Sequence, residues 1–284
     1  MARIAITTGA LRVPPTYFVV QHAQRLADAH DFEVFARIAE VTDPDLGVVV
    51  HDATAFESSL PYARRAPFSV VAGRRMTRQL ADFAPDLVHQ HFGTWSAPAI
   101  SAARAASAPL VTTLHGYDVF AARAVAGRGG GVRGSLGAVA TGSPGSAWHA
   151  ANVRRSGARS TRLLAVSRYL ADEAVAAGMP AERLEVHYQG IDADYFTPAA
   201  GRGSADAADD IPVLLFVGAF AARKGPQDLL AASLALIGAG VEHRVVFVGQ
   251  GPLESELREA ARTHPHVTVA GALGRDGVRE LMRE

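Results

Sequence analysis

Apolar residues follow two alternating rhythms along this chain. Short runs, rich in β-branched residues, alternate with longer stretches in which apolar side chains recur every three or four positions. The runs Ile4–Thr7, Glu33–Ala36, Leu87–His89, Leu110–Leu114, Leu163–Val166 and Leu184–His187 predict strands, as do Val213–Val217, Arg244–Val248 and Val267–Ala270. The stretches Phe18–Ala29, Ala99–Ala106, Tyr169–Ala177, Pro226–Ile237 and Leu253–Arg262 predict amphipathic helices. Strands that are apolar throughout must be buried on both faces. Their alternation with helices therefore predicts an α/β fold of parallel sheets with helices on either side.

Two segments interrupt the rhythm. Ala124–Ser146 is rich in Gly, Ala and Ser around Gly129-Gly130-Gly131, and too poor in large apolar residues to pack, so it is expected to be a loop. Thr197–Asp210 carries Pro198, Gly201 and Gly203 among Ala and Asp, and reads as an interdomain linker. The expected organisation is a first domain over 1–196, a linker over 197–210 and a second domain over 211–284. No repeat of solenoid period is present.

Composition narrows the classes. A length of 284 residues, 49% of them hydrophobic, suffices for two cores. Lys plus Arg and Asp plus Glu both number 28, which argues against a nucleic-acid binder working through bulk positive charge. The absence of cysteine excludes disulfides, thiolate metal sites and cysteine nucleophiles. No charged segment leads into a long apolar stretch, and no run reaches the ~18 apolar residues of a spanning helix. A cytoplasmic enzyme is the expectation, with peripheral contact at the membrane face left open. Arg64, Arg65, Arg74, Arg75 and Arg78, around Phe68 and Met76, form either a solvated face or a docking patch for anionic lipid.

Candidate chemistry gathers where strands end. Val213–Val217 runs into Gly218, a short turn, Arg223-Lys224-Gly225-Pro226 and a helix. Gly218 permits a sharp exit from the strand, and Pro226 suits a first helical turn. Arg223 and Lys224 precede a helix N-terminus, whose free N–H groups favour an anion such as a diphosphate. A solvated basic turn would look the same. In the next unit, Val245–Val248 leads into Gly249-Gln250-Gly251-Pro252, where either a ligand approaches the main chain or the chain simply turns tightly. Both turns would lie at one carboxyl sheet edge, where open α/β folds bind ligands. The third Gly of a dinucleotide fingerprint is replaced by Glu254, which argues against a nicotinamide dehydrogenase. In the first half, strand ends deliver His89, His91, His115 and Asp118 beside glycines. Metal-ligand spacings are missing from this set, so no metal site is expected.

Taken in order, these pieces resemble the retaining GT-B glycosyltransferase family 4, also described as glycosyl transferases group 1. The matching segments are His89-Gln-His-Phe-Gly93, His115-Gly-Tyr-Asp118, Leu164–Leu170, Gln189-Gly-Ile-Asp192 with Tyr195-Phe196, and Phe216-Val-Gly218 with Lys224-Gly225. Val248–Pro252 and Val267–Gly271 complete the set, while Pro15-Thr-Tyr-Phe18 is only loosely similar to the exopolysaccharide subgroup. The resemblance implies two Rossmann-like domains and a nucleotide-diphospho-sugar donor held mainly by the second. The acceptor, a glycan or a lipid-linked sugar, would face the first. It implies His115 near the donor sugar, and Lys224 with Arg223 and Gly218 at the diphosphate. Gly249 and Gly251 would lie beside the nucleotide and Gly271 near the base. Gly9, His91 and Asp118 would be on the cleft or acceptor side, and neither cofactor nor metal ion is implied.

Three departures stand out. Ala219 occupies the place of an arginine common in relatives, for which Arg223 is the candidate substitute. Thr8-Gly9-Ala10 leads to Val13-Pro14-Pro15 where relatives often carry a glycine pair. The family's paired glutamates would follow the segment matching Leu281–Glu284, where the chain ends. The expectation is thus a C-terminally truncated second domain, with Gly277–Glu284 a helix cut short. A module that binds donor or acceptor without catalysis is the alternative, and GT-B epimerases and phosphorylases share the architecture.

Overall fold

The computed structural model describes residues 1–13, 16–42, 46–55, 60–126, 144–198 and 211–283. The described residues up to Gln189 form one compact unit, and those from Gly190 onward form another.

The first unit is built on a parallel sheet of β1 (Arg3–Val13), β2 (Asp31–Val41), β3 (Val49–Asp52), β4 (Leu87–His91), β5 (Leu110–Leu114), β6 (Arg162–Ala165) and β7 (Leu184–Val186). Their order is β3-β2-β1-β4-β5-β6-β7. Adjacent residues point to opposite faces, and both faces are covered. Ala5, Phe35 and Val88 pack with Met76, Leu80 and Phe83 of α3 (Gly73–Phe83) and with Ala99 and Ala102 of α4 (Ala97–Ala105). Ile6, Val34 and Ala36 face the other way, toward Val19, Val20 and Ala23 around the short helix α1 (Gln21–Arg25). Helices α2 (Tyr62–Arg65), α5 (Tyr117–Ala126), α6 (Pro144–Arg159) and α7 (Arg168–Ala176) complete the unit, and Val119, Val153 and Leu170 pack against Leu114 and Leu163. The strand order reverses between β1 and β4, and a crevice at the carboxyl ends of these strands follows from that reversal.

The second unit has a parallel sheet in the order β10-β9-β8, made of β8 (Val213–Val217), β9 (Arg244–Val248) and β10 (Val267–Gly271). It carries α8 (Pro226–Gly238), α9 (Glu254–Thr263) and α10 (Arg275–Arg283). Phe220, Phe247, Leu257 and Val267 form its core. The segment from Asp192 to Thr197 is tied to α10. Arg275 pairs with Asp192 at 2.8 Å and stacks over the Tyr195 ring, Tyr195 bonds Asp276, and Arg283 donates to Thr197.

Several elements differ from their sequence expectation. Phe18–Ala29 yields only a 3-10 turn, Tyr17–Val19, and the five-residue α1. Strand β3 and helix α3 went unread, although Met76, Leu80 and Phe83 recur at helical spacing. Helices α5 and α6 reach into both ends of the expected loop Ala124–Ser146, whose centre, 127–143, lies outside the described residues. Most of the expected linker, 199–210, lies outside them too, as do Pro14, Pro15 and Glu284. The arginine patch loses two members. Met76 is core, and Arg65 turns inward to pair with Asp52 and donate to the carbonyls of Leu60 and Ala39. Among the described residues, no helix is long and apolar enough to cross a membrane.

Candidate functional site

Histidines cluster where β4 and β5 of the first unit end. Parallel pairing sets β4 beside β5, with His91 opposite Thr113, so the ends of both strands present their side chains together. His91 Nδ1 lies 2.9 Å from His115 Nε2, with the rings stacked. His89 Nε2 bonds Thr113 Oγ1 at 2.8 Å. His22, from α1, stacks on His91 and lies 5.1 Å from the His89 ring. Phe18 and Phe92 close around His115 with ring centroids at 4.8 and 4.4 Å. Phe92 holds φ at 64°, a costly conformation for a bulky residue, fixed by bonds from its N–H to Thr113 and from Gln90 to its carbonyl.

Asp118 anchors the loop that carries His115. It is fully buried and its carboxylate accepts N–H bonds from Gly93, His115, Gly116 and Val119. Burial pushes its carboxyl up, against the backbone N–H groups of Gly93, Val119 and His115, which hold it down. Asp118 thus joins the turn after β4 to the turn after β5, rather than facing open space.

Burial keeps the rings neutral. It holds His115 down to about 4 and His89 to about 3, with repulsion from His22, His115 and His187 adding to the effect at His89. His91 and His22 are lowered too, again chiefly by burial. Gln189 Nε2 donates to His115 Nδ1 at 3.3 Å. That makes Nδ1 an acceptor and leaves the proton on Nε2, which donates to His91 Nδ1. The Nε2 atoms of His91 and His22 are buried without a hydrogen-bond partner. His22, His89 and His91 place ring nitrogens within 4.8 Å of one another, the one group among the described residues close enough to share a metal ion.

In the second unit, β8 and β9 end in register at Val217 and Val248, each followed by a glycine, Gly218 and Gly249, and Gly271 of β10 pairs with Val248 across a shift in register. Their turns are laced together. Gly218 donates to Val248, Phe220 to Gln250, Leu253 to Phe220 and Gly249 to Gly271. Gly249 has φ 147°, and a Cβ there would lie 1.9 Å from the Gly218 carbonyl oxygen. Gly251 has φ 158°, and its Cβ would lie 2.5 Å from the Phe220 oxygen. The room these glycines provide is therefore filled by the neighbouring turn. That turn continues through a 3-10 segment, Ala222–Lys224, to Gly225 at φ 71° and Pro226 at the start of α8. Arg223 and Lys224 are exposed at this edge.

The structure thus gathers Gly218, Gly249, Gly251, Gly271, Arg223 and Lys224 at one sheet edge, and His91, His115 and Asp118 at another. Gly9 stands apart, within β1 and under the Trp95 indole. Sequence reading missed His22, which carries no motif, and gave no role to Phe18 and Phe92, although both lie in segments that carry the family resemblance. Gln189 belonged to a matched segment, yet its bond to His115 depends on the fold.

The description Glycosyltransferase Family 4 fits residues 16–195, and Glycosyl transferases group 1 fits residues 211–284. No curated protein matches in sequence. Among solved structures, the chain is similar to Anabaena Alr3699/HepE in complex with UDP and glucose, with a TM-score of 0.68 at 14% identity, covering 100% of this chain and 72% of that one. It is similar to sucrose-phosphate synthase from Thermosynechococcus elongatus, with a TM-score of 0.66 at 14% identity over 98% and 72% of the two chains. A third is WaaG, a glycosyltransferase involved in lipopolysaccharide biosynthesis, with a TM-score of 0.64 at 17% identity over 98% and 72%. At these identities the likeness establishes the fold, an α/β GT-B architecture of two Rossmann-like units.

Proposed function

The chain belongs to glycosyltransferase family 4, and from that premise we propose that it moves a sugar from a nucleotide-diphospho-sugar to a glycan or lipid-linked acceptor, with retention of anomeric configuration. The observation that carries this reading is the laced glycine edge of β8–β10, followed by Arg223, Lys224 and the start of α8. Cleaving the bond between sugar and diphosphate builds negative charge on the leaving phosphate and positive charge on the sugar. Preorganised groups stabilise such charges best, because nothing has to reorient during reaction. Lys224 and Arg223 meet the diphosphate, with the free N–H groups of α8 adding to the field. This supply of positive charge is our reason for proposing that transfer needs no metal ion.

His115 is assigned to the transferred sugar. Its loop is fixed by Asp118, and its tautomer by His91 and Gln189. A neutral ring adds no positive charge where the sugar becomes cationic. The test is transfer from a panel of nucleotide-diphospho-sugars, with and without chelator, and the product anomer read by NMR. Retained configuration at an unchanged rate in chelator is expected. Inversion, or collapse of the rate in chelator, defeats the corresponding part of the reading.

A further inference from the structure

A cavity of about 610 Å³ in the first unit is lined by Arg37 of β2, Arg74 and Thr77 of α3, Trp95 after β4, and Trp148 and Asn152 of α6. Arg37 is 4% exposed, and its Nε is buried without a partner. Among the described residues, no carboxylate pairs with it. Its guanidinium carbon lies 3.4 Å from the centroid of the Trp95 ring. Burial alone pushes its pKa down to about 10, which leaves it charged at neutral pH. A buried cation is costly unless an anion meets it.

Arg65 shows what this fold does with a buried arginine that serves only structure. It pairs with Asp52 and donates to two backbone carbonyls and to Thr54. Arg37 has none of this, and it lines a cavity instead. The wall beside it is purpose-shaped as well. Gly9 lets the indole of Trp95 lie on β1, since a Cβ there would come within 2.2 Å of Cδ1. Trp95 meets Trp148 edge-on, with centroids 4.5 Å apart.

We propose that this cavity binds a phosphate ester, with the phosphate on Arg37 and the attached sugar ring or prenyl chain against the two indoles. A guanidinium holds a phosphate through paired N–H bonds, and an indole offers a flat apolar face to either kind of substituent. The exposed guanidinium of Arg74 adds a second cation in the lining. Resting on the transferase reading, the ligand is the acceptor, which therefore carries a phosphate ester.

The chain has two tryptophans, Trp95 and Trp148, and both line this cavity, so intrinsic fluorescence reports its occupancy. The whole chain is titrated with glucose 1-phosphate and with farnesyl phosphate, using glucose and farnesol as neutral controls. A saturable change with either phosphate ester, and none with its neutral partner, is expected. Which ester saturates tells a phosphorylated sugar from a prenyl phosphate. Arg37→Met should weaken binding at least tenfold. Should that variant fail to fold, the exposed Trp148→Phe replaces it, with a loss of about threefold or more. No saturable change with either ester, or equal binding by Arg37→Met, overturns the proposal. UDP binding is followed in parallel by calorimetry. If wild type binds no UDP, the transferase reading fails; if it binds UDP but neither ester, only this cavity assignment fails.

Discussion

His91 and His115 are joined by one hydrogen bond of 2.9 Å between Nδ1 and Nε2. His91 is buried and cannot reach solvent, whereas His115 is partly open. His91 is thus a positioning residue that fixes the ring and tautomer of His115. His115→Ala should cut turnover roughly 100-fold or more, in the range for losing a directly participating side chain. His91→Ala should cost about tenfold, the scale of one orienting hydrogen bond. The loss should fall on kcat with donor KM unchanged, and His91→Asn, which restores an acceptor, should recover most of it. A change confined to KM would remove His91 from this role.

The same rings make stability depend on acidity. In the fold they resist protonation, with His89 at about 3 and His115 at about 4 against an ordinary 6.5, and His22 and His91 lowered as well. Between about 6.5 and 4 the unfolded chain binds more protons than the folded one, so stability falls as pH drops through that window. Asp118, raised by burial, opposes this only above its ordinary carboxylate range, as one group against four. In the presence of chelator, the urea midpoint should hold from pH 8 to about 7 and decline from about 6.5 toward 4.5. A midpoint that stays level or climbs on acidification would show that the rings are charged in the folded protein.

Gly249 tests the lacing of the second unit. Any side chain there meets the Gly218 carbonyl at 1.9 Å and must also hold φ near 147°. The backbone conformation alone costs roughly 1–3 kcal/mol for a residue other than glycine. Gly249→Ala should therefore lower the Tm of the second unit by several degrees, at about 4–8 °C per kcal/mol for a domain of this scale. Gly274→Ala, where nothing lies within 4 Å of a new Cβ, is the control and should be nearly neutral. Equal effects would mean that the turn has slack.

Much of this was legible in the sequence because the strands announce themselves. Leu110–Leu114, Val213–Val217 and Arg244–Val248 were read with the bounds they have. Strand order was not legible, since periodicity reports which face of a strand is buried and not which strand lies beside it. The meeting of His22 with His89 and His91 depends on that order, as does the convergence of Gly9, Arg37 and Trp95 from β1, β2 and the turn after β4. At Gly249 and Gly251 the sequence left open whether a ligand or only a tight turn lies against the main chain. The approaching partner, the Gly218–Phe220 turn, became visible only when β8 and β9 were seen in register. Asp118 was read toward the cleft from its place beside His115. Its four backbone donors explain equally well why an aspartate stands there.

Lys224 is the last test, and the chain makes it unusually clean. It is the one lysine in the sequence, exposed on the turn before α8. The turn is held by bonds from Lys224 N to Ala221 O and from Gly225 N to Ala222 O, so the backbone need not move when the side chain changes. If its ammonium meets the leaving diphosphate, Lys224→Ala should reduce turnover ~100–1,000-fold, the usual loss for one preorganised charge-stabilising group. Arg223→Ala should cost less, unless Arg223 serves for the arginine absent at Ala219, in which case the two losses will match. Reductive methylation followed by mass spectrometry offers a reading independent of activity, because only Lys224 and the chain's amino terminus can react. UDP should slow methylation of Lys224 and leave the terminus unaffected. Equal labelling with and without UDP, together with full turnover by Lys224→Ala, would reduce Lys224 to a solvated surface charge.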